Sequence, residues 1–259
     1  MRYLWIIAAG VLLLVVLGNI GSVAWNWGRP YLTNDPLAGF PRMFLWAWER
    51  PEDLSFLDPR KAGVAVLAKT LILSKTGIAI HPRMQPIELP PGVTTIAVVR
   101  IETKSDTISE QTRKEAVRQI TDLTSSSSVG IQLDFDARAS ERDLYRKLLS
   151  DVRRQMPSGK KLSITALASW CIYDDWISDL PVDESVPMLF RMGIGEAEVK
   201  RYLANGGDFR AARTRFSIGI SLDELPAKKL GSRRIYIFNP KPWTPSSVEE
   251  ALRYAREWQ

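Results

Sequence analysis

From residue 42 onward the chain alternates between short β-type runs and segments with helical spacing or turn residues. Eight runs read as strands. They are MFLWAW (43–48), GVAVLAKTLIL (63–73), TTIAVVRIE (94–102) and VGIQLDFDA (129–137), then KLSITALAS (161–169), SVPMLFRM (185–192), RFSIGISL (215–222) and RRIYIFN (233–239). After the third, Ala116, Val117, Ile120 and Leu123 form an apolar stripe, with TRKE (112–115) as a capping box. After the fourth, Ser140 with Asp143 three residues on starts a helix turning Leu144, Leu148, Leu149 and Val152 inward. GEAEVKRYLANGG follows the sixth strand and ends on the Asn-Gly-Gly expected beyond a helix C-terminus. After the eighth, Thr244 caps and Pro245 takes the first turn of a helix with Val248, Ala251, Leu252 and Ala255 on one face. The crossovers after strands one, two, five and seven are short or proline-rich and predict no full helix.

Eight strands with alternating helices predict an α/β fold, a (β/α)8 TIM barrel over 42–259. A doubly wound open sheet is the alternative. No Gly-rich phosphate loop follows any strand, which counts against that alternative and leaves nucleotide chemistry without support. Pro187 weakens the sixth strand, because proline cannot donate to a ladder that has no free edge.

The first thirty residues follow a different pattern. One basic residue precedes an unbroken apolar run from Leu4 to Leu17, and SVA at 22–24 supplies a small-x-small exit. Residues 1–24 therefore read as a signal peptide, or as an uncleaved membrane anchor with Trp25 and Trp27 at the interface. A linker over 25–41 joins this membrane-targeting helix to the barrel. No cysteine follows the apolar run, which excludes a lipoprotein anchor. The expected location is periplasmic or extracellular, at the inner membrane if the segment is retained.

Composition adds mostly exclusions. The net charge is +6, but the basic residues are scattered, with neither a stripe nor a reader motif for nucleic acid. Cys171 is the only cysteine, so no internal disulfide forms. His81 is the only histidine, which removes multi-histidine metal sites and makes a Ser-His-Asp triad implausible; it is expected in a loop before Pro82. No cofactor is called for.

The chemistry gathers on two strands. Side chains alternate along a strand, so Gly130, Gln132, Asp134 and Asp136 share one face, and Val129, Ile131, Leu133 and Phe135 the other. Ile96, Val98, Arg100 and Glu102 repeat the gradient, apolar below and charged above. Barrel enzymes place their sites at that upper, C-terminal end. Adjacent strands lie about 4.8 Å apart and alternate residues roughly 6.5–7 Å. Glycosidase carboxylate pairs need about 5–5.5 Å for retention or 6.5–9.5 Å for inversion. Asp134, Asp136 and Glu102 are thus the expected catalytic set. A structural ion-pair network neutralised by Arg100, or a divalent-metal site built from the acidic group, would use the same residues. Trp46, Trp48, Trp170 and Trp243 near strand ends could stack on sugar rings or serve as core, and Arg191 and Asp223 could bind substrate or form a rim salt bridge.

WERPEDLSFLDP, GIQLDFDA, LSITALASWC and VPMLFRMG resemble a bacterial family known as domain of unknown function 3142. More distantly, IQLDFDA and VPMLFRMG resemble the fourth and sixth strands of TIM-barrel glycosidases of the chitinase-like group. There a D-x-D-x-E strand carries the catalytic acid and a Met-x-Tyr strand lines the pocket. Asp134 and Asp136 match the two aspartates and Met188 the methionine. Phe190 replaces the tyrosine, and Arg138 stands where the glutamate belongs, which removes a straightforward chitinase mechanism. The expected function is hydrolysis of a glycan by paired carboxylates, with Asp136 as acid and Asp134 or Glu102 as nucleophile, base or stabiliser. The alternative is a non-catalytic envelope protein that binds a polysaccharide or a protein partner.

Overall fold

All eight expected strands form, and they close on themselves. A computed structural model describes residues 35–258. The segment expected as leader or anchor over 1–24, and most of the linker expected over 25–41, lie outside the described residues. Among the described residues no helix is long and apolar enough to cross a membrane.

In chain order the strands are β1 (Met43–Ala47), β2 (Glu52–Asp53), β3 (Gly63–Leu73), β4 (Ile78–Pro82), β5 (Ile87–Glu88), β6 (Thr95–Thr103), β7 (Gly130–Asp134), β8 (Lys161–Leu167), β9 (Glu184–Met188), β10 (Ser217–Ser221) and β11 (Arg234–Phe238). The helices are α1 (Glu110–Thr121), α2 (Arg142–Gln155), α3 (Ala168–Tyr173), α4 (Glu196–Ala204) and α5 (Pro245–Glu257). Strands β1, β3, β6, β7, β8, β9, β10 and β11 pair in parallel in that order, and β1 pairs with both β3 and β11. That closure excludes the open doubly wound sheet.

Two apolar layers follow from the alternation along each strand. Ile131, Leu133, Ile164, Val99 and Ile237 point outward into the main core with Ala116, Leu148, Leu149 and Ala251 from the helices. Phe44, Trp46, Ala65, Ile96, Val98, Val186 and Tyr236 fill the barrel interior as a separate cluster. Gly219 lets this inner layer close, since a Cβ there would stand 2.7 Å from the Trp46 ring. Below it the interior turns polar. Arg234 and Glu184 form an ion pair at 3.1 Å, both fully buried. Tyr236 and Ser163 donate to the other Glu184 oxygen, and Arg234 donates to the carbonyls of Leu37 and Pro41 in the segment under the barrel. Sequence reading missed this plug, because its sixth strand began at 185.

Several expectations need correction. The N-cap of α1 is Ser109, whose Oγ accepts from the Thr112 N–H, rather than Thr112 itself; Glu115 is taken by Arg118. The turn before α2 is fixed by Glu141, which accepts from the Arg138 N–H, rather than by Ser140. Thr244 caps α5 as expected, with Pro245 in the first turn. His81 lies in a strand, not a loop: β4 pairs antiparallel with the upper half of β3, opposite Thr70. This hairpin exists because β3 outruns the barrel after a bulge between Leu67 and Lys69. The seventh crossover carries no helix and the fifth only the six residues of α3, as their length and prolines predict.

Candidate functional site

A cleft of about 670 Å³ opens at the C-terminal end of the barrel. Its polar wall comes from β6 and β7. Going up the inner face of β7, Gln132 is buried and bonded at both ends of its amide, accepting from Trp46 Nε1 at 2.8 Å and donating to Ser163 at 3.1 Å. Asp134, next up, is half-buried at the cleft floor, and its Oδ1 accepts from Thr165 Oγ1 of β8 at 2.7 Å. The strand ends there, three residues earlier than the sequence pattern predicts. Alternation nevertheless continues, because Phe135 tucks into the core against Tyr145 and Ala137 donates back to the Phe135 carbonyl at 2.9 Å. Asp136 is therefore exposed in the cleft.

Burial pushes the Asp134 carboxyl up to about 6; the Thr165 hydroxyl and the Arg100 charge pull it down, while Asp136 and Glu102 push it further up. Partial burial also raises Asp136, against the pull of Arg100. Among the described residues neither aspartate carries an ion pair. Arg100 lies beside Asp134 in register, but its guanidinium pairs with Glu102 at 3.0 Å, both side chains being about 44% exposed. Neutralisation of the aspartates by a direct Arg100 bridge is thus not what the fold builds. The acidic group does not converge either: among the described residues no three His, Cys, Asp or Glu side chains are placed to hold a metal ion.

Arg138 turns away from the aspartates. It pairs with Glu141 at 2.8 Å and Asp106 at 3.1 Å, and Glu141 also accepts from the Arg138 N–H and Thr103 Oγ1. These bonds outweigh the burial of Glu141 and hold its carboxyl below the ordinary value. Glu141 is a fourth carboxylate on the cleft wall, beside Glu102, Asp134 and Asp136, and sequence reading missed it; only its position three residues after Arg138 signals it.

The opposite wall is aromatic. Phe190 and Phe238 stack with centroids 5.8 Å apart and planes 6° from parallel. Trp48 meets Phe238 edge-on at 6.3 Å, and Trp46 tilts against Phe190 at 6.1 Å. Arg191 lies over Phe238 at 5.1 Å and has φ 49°, a left-handed conformation uncommon outside glycine and typical of constrained functional positions. Its N–H donates to Glu224, and its guanidinium pairs with Asp223 at 3.3 Å.

Of the expected residues, the cleft brings together Asp134, Asp136, Glu102 and Arg100 on one side, with Trp46, Trp48 and Arg191 on the other. Asp223 lies outside the lining and reaches the site only through Arg191. Trp170 and Trp243 do not reach the cleft. Trp170 packs edge-on against Trp176 in the outer core, and Trp243 is buried with its Nε1 donating to the Trp46 carbonyl. Both indoles, close to strand ends in sequence, are seated in the outer apolar core instead.

No family model matches the chain, so membership of domain of unknown function 3142 is not shown, and no curated protein matches it. Among solved structures, the chitinase domain of the spore coat protein CotE from Clostridium difficile is similar, with 13% identity and a TM-score of 0.42. That match covers 74% of this chain and 68% of the other.

Proposed function

We propose that the protein acts on a glycan outside the cytoplasmic membrane, hydrolysing a glycosidic bond at the Asp134–Asp136 pair. One observation carries the reading: two carboxylates with raised affinity for protons, free of ion pairs among the described residues, face an aromatic wall across one open cleft. Aromatic faces suit the C–H faces of sugar rings, and paired carboxylates suit protonation of a leaving oxygen. Asp136, the exposed member, delivers the proton. Asp134, beneath it and bonded to Thr165, keeps a proton on the pair up to about pH 6 and is the stabilising carboxylate once that proton has moved. Glu102 is engaged with Arg100 and plays the lesser part. The apolar leader in the sequence supports the extracytoplasmic location.

A glycan panel tests this. Reducing-end release by the native chain, lost in Asp136→Asn and shifted in pH profile by Asp134→Asn, is the expected result. Turnover unchanged in both variants rules the roles out. A non-catalytic glycan-binding protein is the second reading, favoured by Arg138, which holds the place of the chitinase-like glutamate and is locked onto Glu141 and Asp106. Binding without release by the native chain would select it.

A further inference from the structure

The cleft has a third side, neither charged nor aromatic. On the inner face of β8, Thr165 bonds Asp134, and the next residue up on that face is Leu167. Leu167 is in register with Met188 on β9. Above them the β9–α4 loop brings Met192 and Ile194 to the cleft, and Val199 joins from the first turn of α4. Gly193 and Gly195, both at positive φ, flank Ile194 and offer it no side-chain cover, so it is wholly exposed, at 107% of its reference surface. A β-branched apolar side chain held out at the mouth of a pocket lacks the packing that would explain it, and methionines adapt to ligands of varied shape.

We propose that this end of the cleft holds an aliphatic chain, so that the ligand is a glycan carrying an acyl or alkyl substituent. The inference rests on the glycan reading above and narrows its substrate class. Its support is continuity. The aliphatic surface begins one position above the Asp134–Thr165 hydrogen bond and shares a single cavity with the aromatic wall. One ligand spanning the cavity therefore meets carboxylates, aromatic faces and aliphatic side chains in turn. A cleft of about 670 Å³ has room for both parts of such a molecule.

The test uses the full-length chain in detergent-free buffer, titrated with methyl, butyl and hexyl β-glucosides and with butanol and hexanol. Burial of a methylene tightens binding about fourfold at most, so affinity should climb steeply from methyl to hexyl glucoside. In the Met192→Ser/Ile194→Ser double variant the climb should flatten. Both side chains sit on a surface loop, and a melting curve for the variant matching the native one confirms that the barrel is intact. Affinity that does not depend on chain length, no binding by any glucoside, or a climb that persists in the double variant overturns the inference and leaves the carboxylate reading to its own test. Alcohols binding as tightly as glucosides of the same chain length would keep the aliphatic pocket but remove the sugar, and with it the glycan reading.

Discussion

Asp134→Asn should make the protein more stable at neutral pH. The native carboxyl titrates at about 6 in the fold against an ordinary 3.8, chiefly because burial disfavours its charge. Its folded value is raised, so the contribution to stability is fully present below the unfolded pKa and is lost as pH rises through about 6. A difference of about two pH units at roughly 1.4 kcal/mol each amounts to about 3 kcal/mol by pH 7.5. Asparagine carries no charge and keeps an oxygen for the Thr165 hydroxyl, so it escapes that loss. Urea unfolding of both proteins from pH 4.5 to 7.5 measures it. The variant should lead by about 3 kcal/mol at pH 7.5 and by only about 1 kcal/mol at pH 4.5. A variant equal to or weaker than the native protein across that range would refute the reasoning, because it would mean that Arg100 and Thr165 compensate the carboxylate fully. A gain in stability coupled to a displaced pH profile of activity is what a destabilised functional group leaves behind.

Four further outcomes follow from the same geometry. Glu184→Gln removes the buried carboxylate charge that faces Arg234 and should cost about 1–3 kcal/mol, read as a fall in the urea midpoint. Gly219→Ala drives a Cβ into the Trp46 ring and should cost about 1–3 kcal/mol, with a change in tryptophan emission. Arg138→Ala removes a bond that holds the Glu141 carboxyl low; that stability exists above the unfolded pKa and is lost as pH falls, so acid unfolding should begin at higher pH. Burial pushes the Cys171 thiol up, so it should resist thiol reagents in the native chain and react once urea opens the fold.

The barrel was readable because each strand is a run of β-type residues whose alternation survives into the structure, as Gln132, Asp134 and Asp136 show against Ile131, Leu133 and Phe135. The polar wall was readable for the same reason. What stayed hidden depends on partners distant in sequence. The β4 hairpin is mostly exposed and therefore lacks a buried face to signal it. Glu184 looks like a turn residue until Arg234, fifty positions on, is placed beside it. Trp243 and Trp170 were drawn to the outer core by helices whose packing no local pattern specifies. Phe190 and Phe238 become a stacked pair only when β9 and β11 are brought round the barrel.

Pro187 has a consequence for how the barrel breathes. Leu189 N–H donates to the Gly219 carbonyl at 2.8 Å, and the equivalent position two residues earlier is the proline, which has no hydrogen to give. Strands β9 and β10 are left with a single registered pair, Gly219 with Met188, where β8 and β9 have five. A closed barrel resists opening only as well as its weakest stave joint, and this joint runs up beneath Phe190 and Met188. Amide hydrogens along it should exchange with solvent ahead of those in β7 and β8, by local parting rather than global unfolding. The same parting would momentarily widen the mouth between the aromatic and aliphatic sides, so the residue that spoils the ladder also provides the cleft with a hinge line.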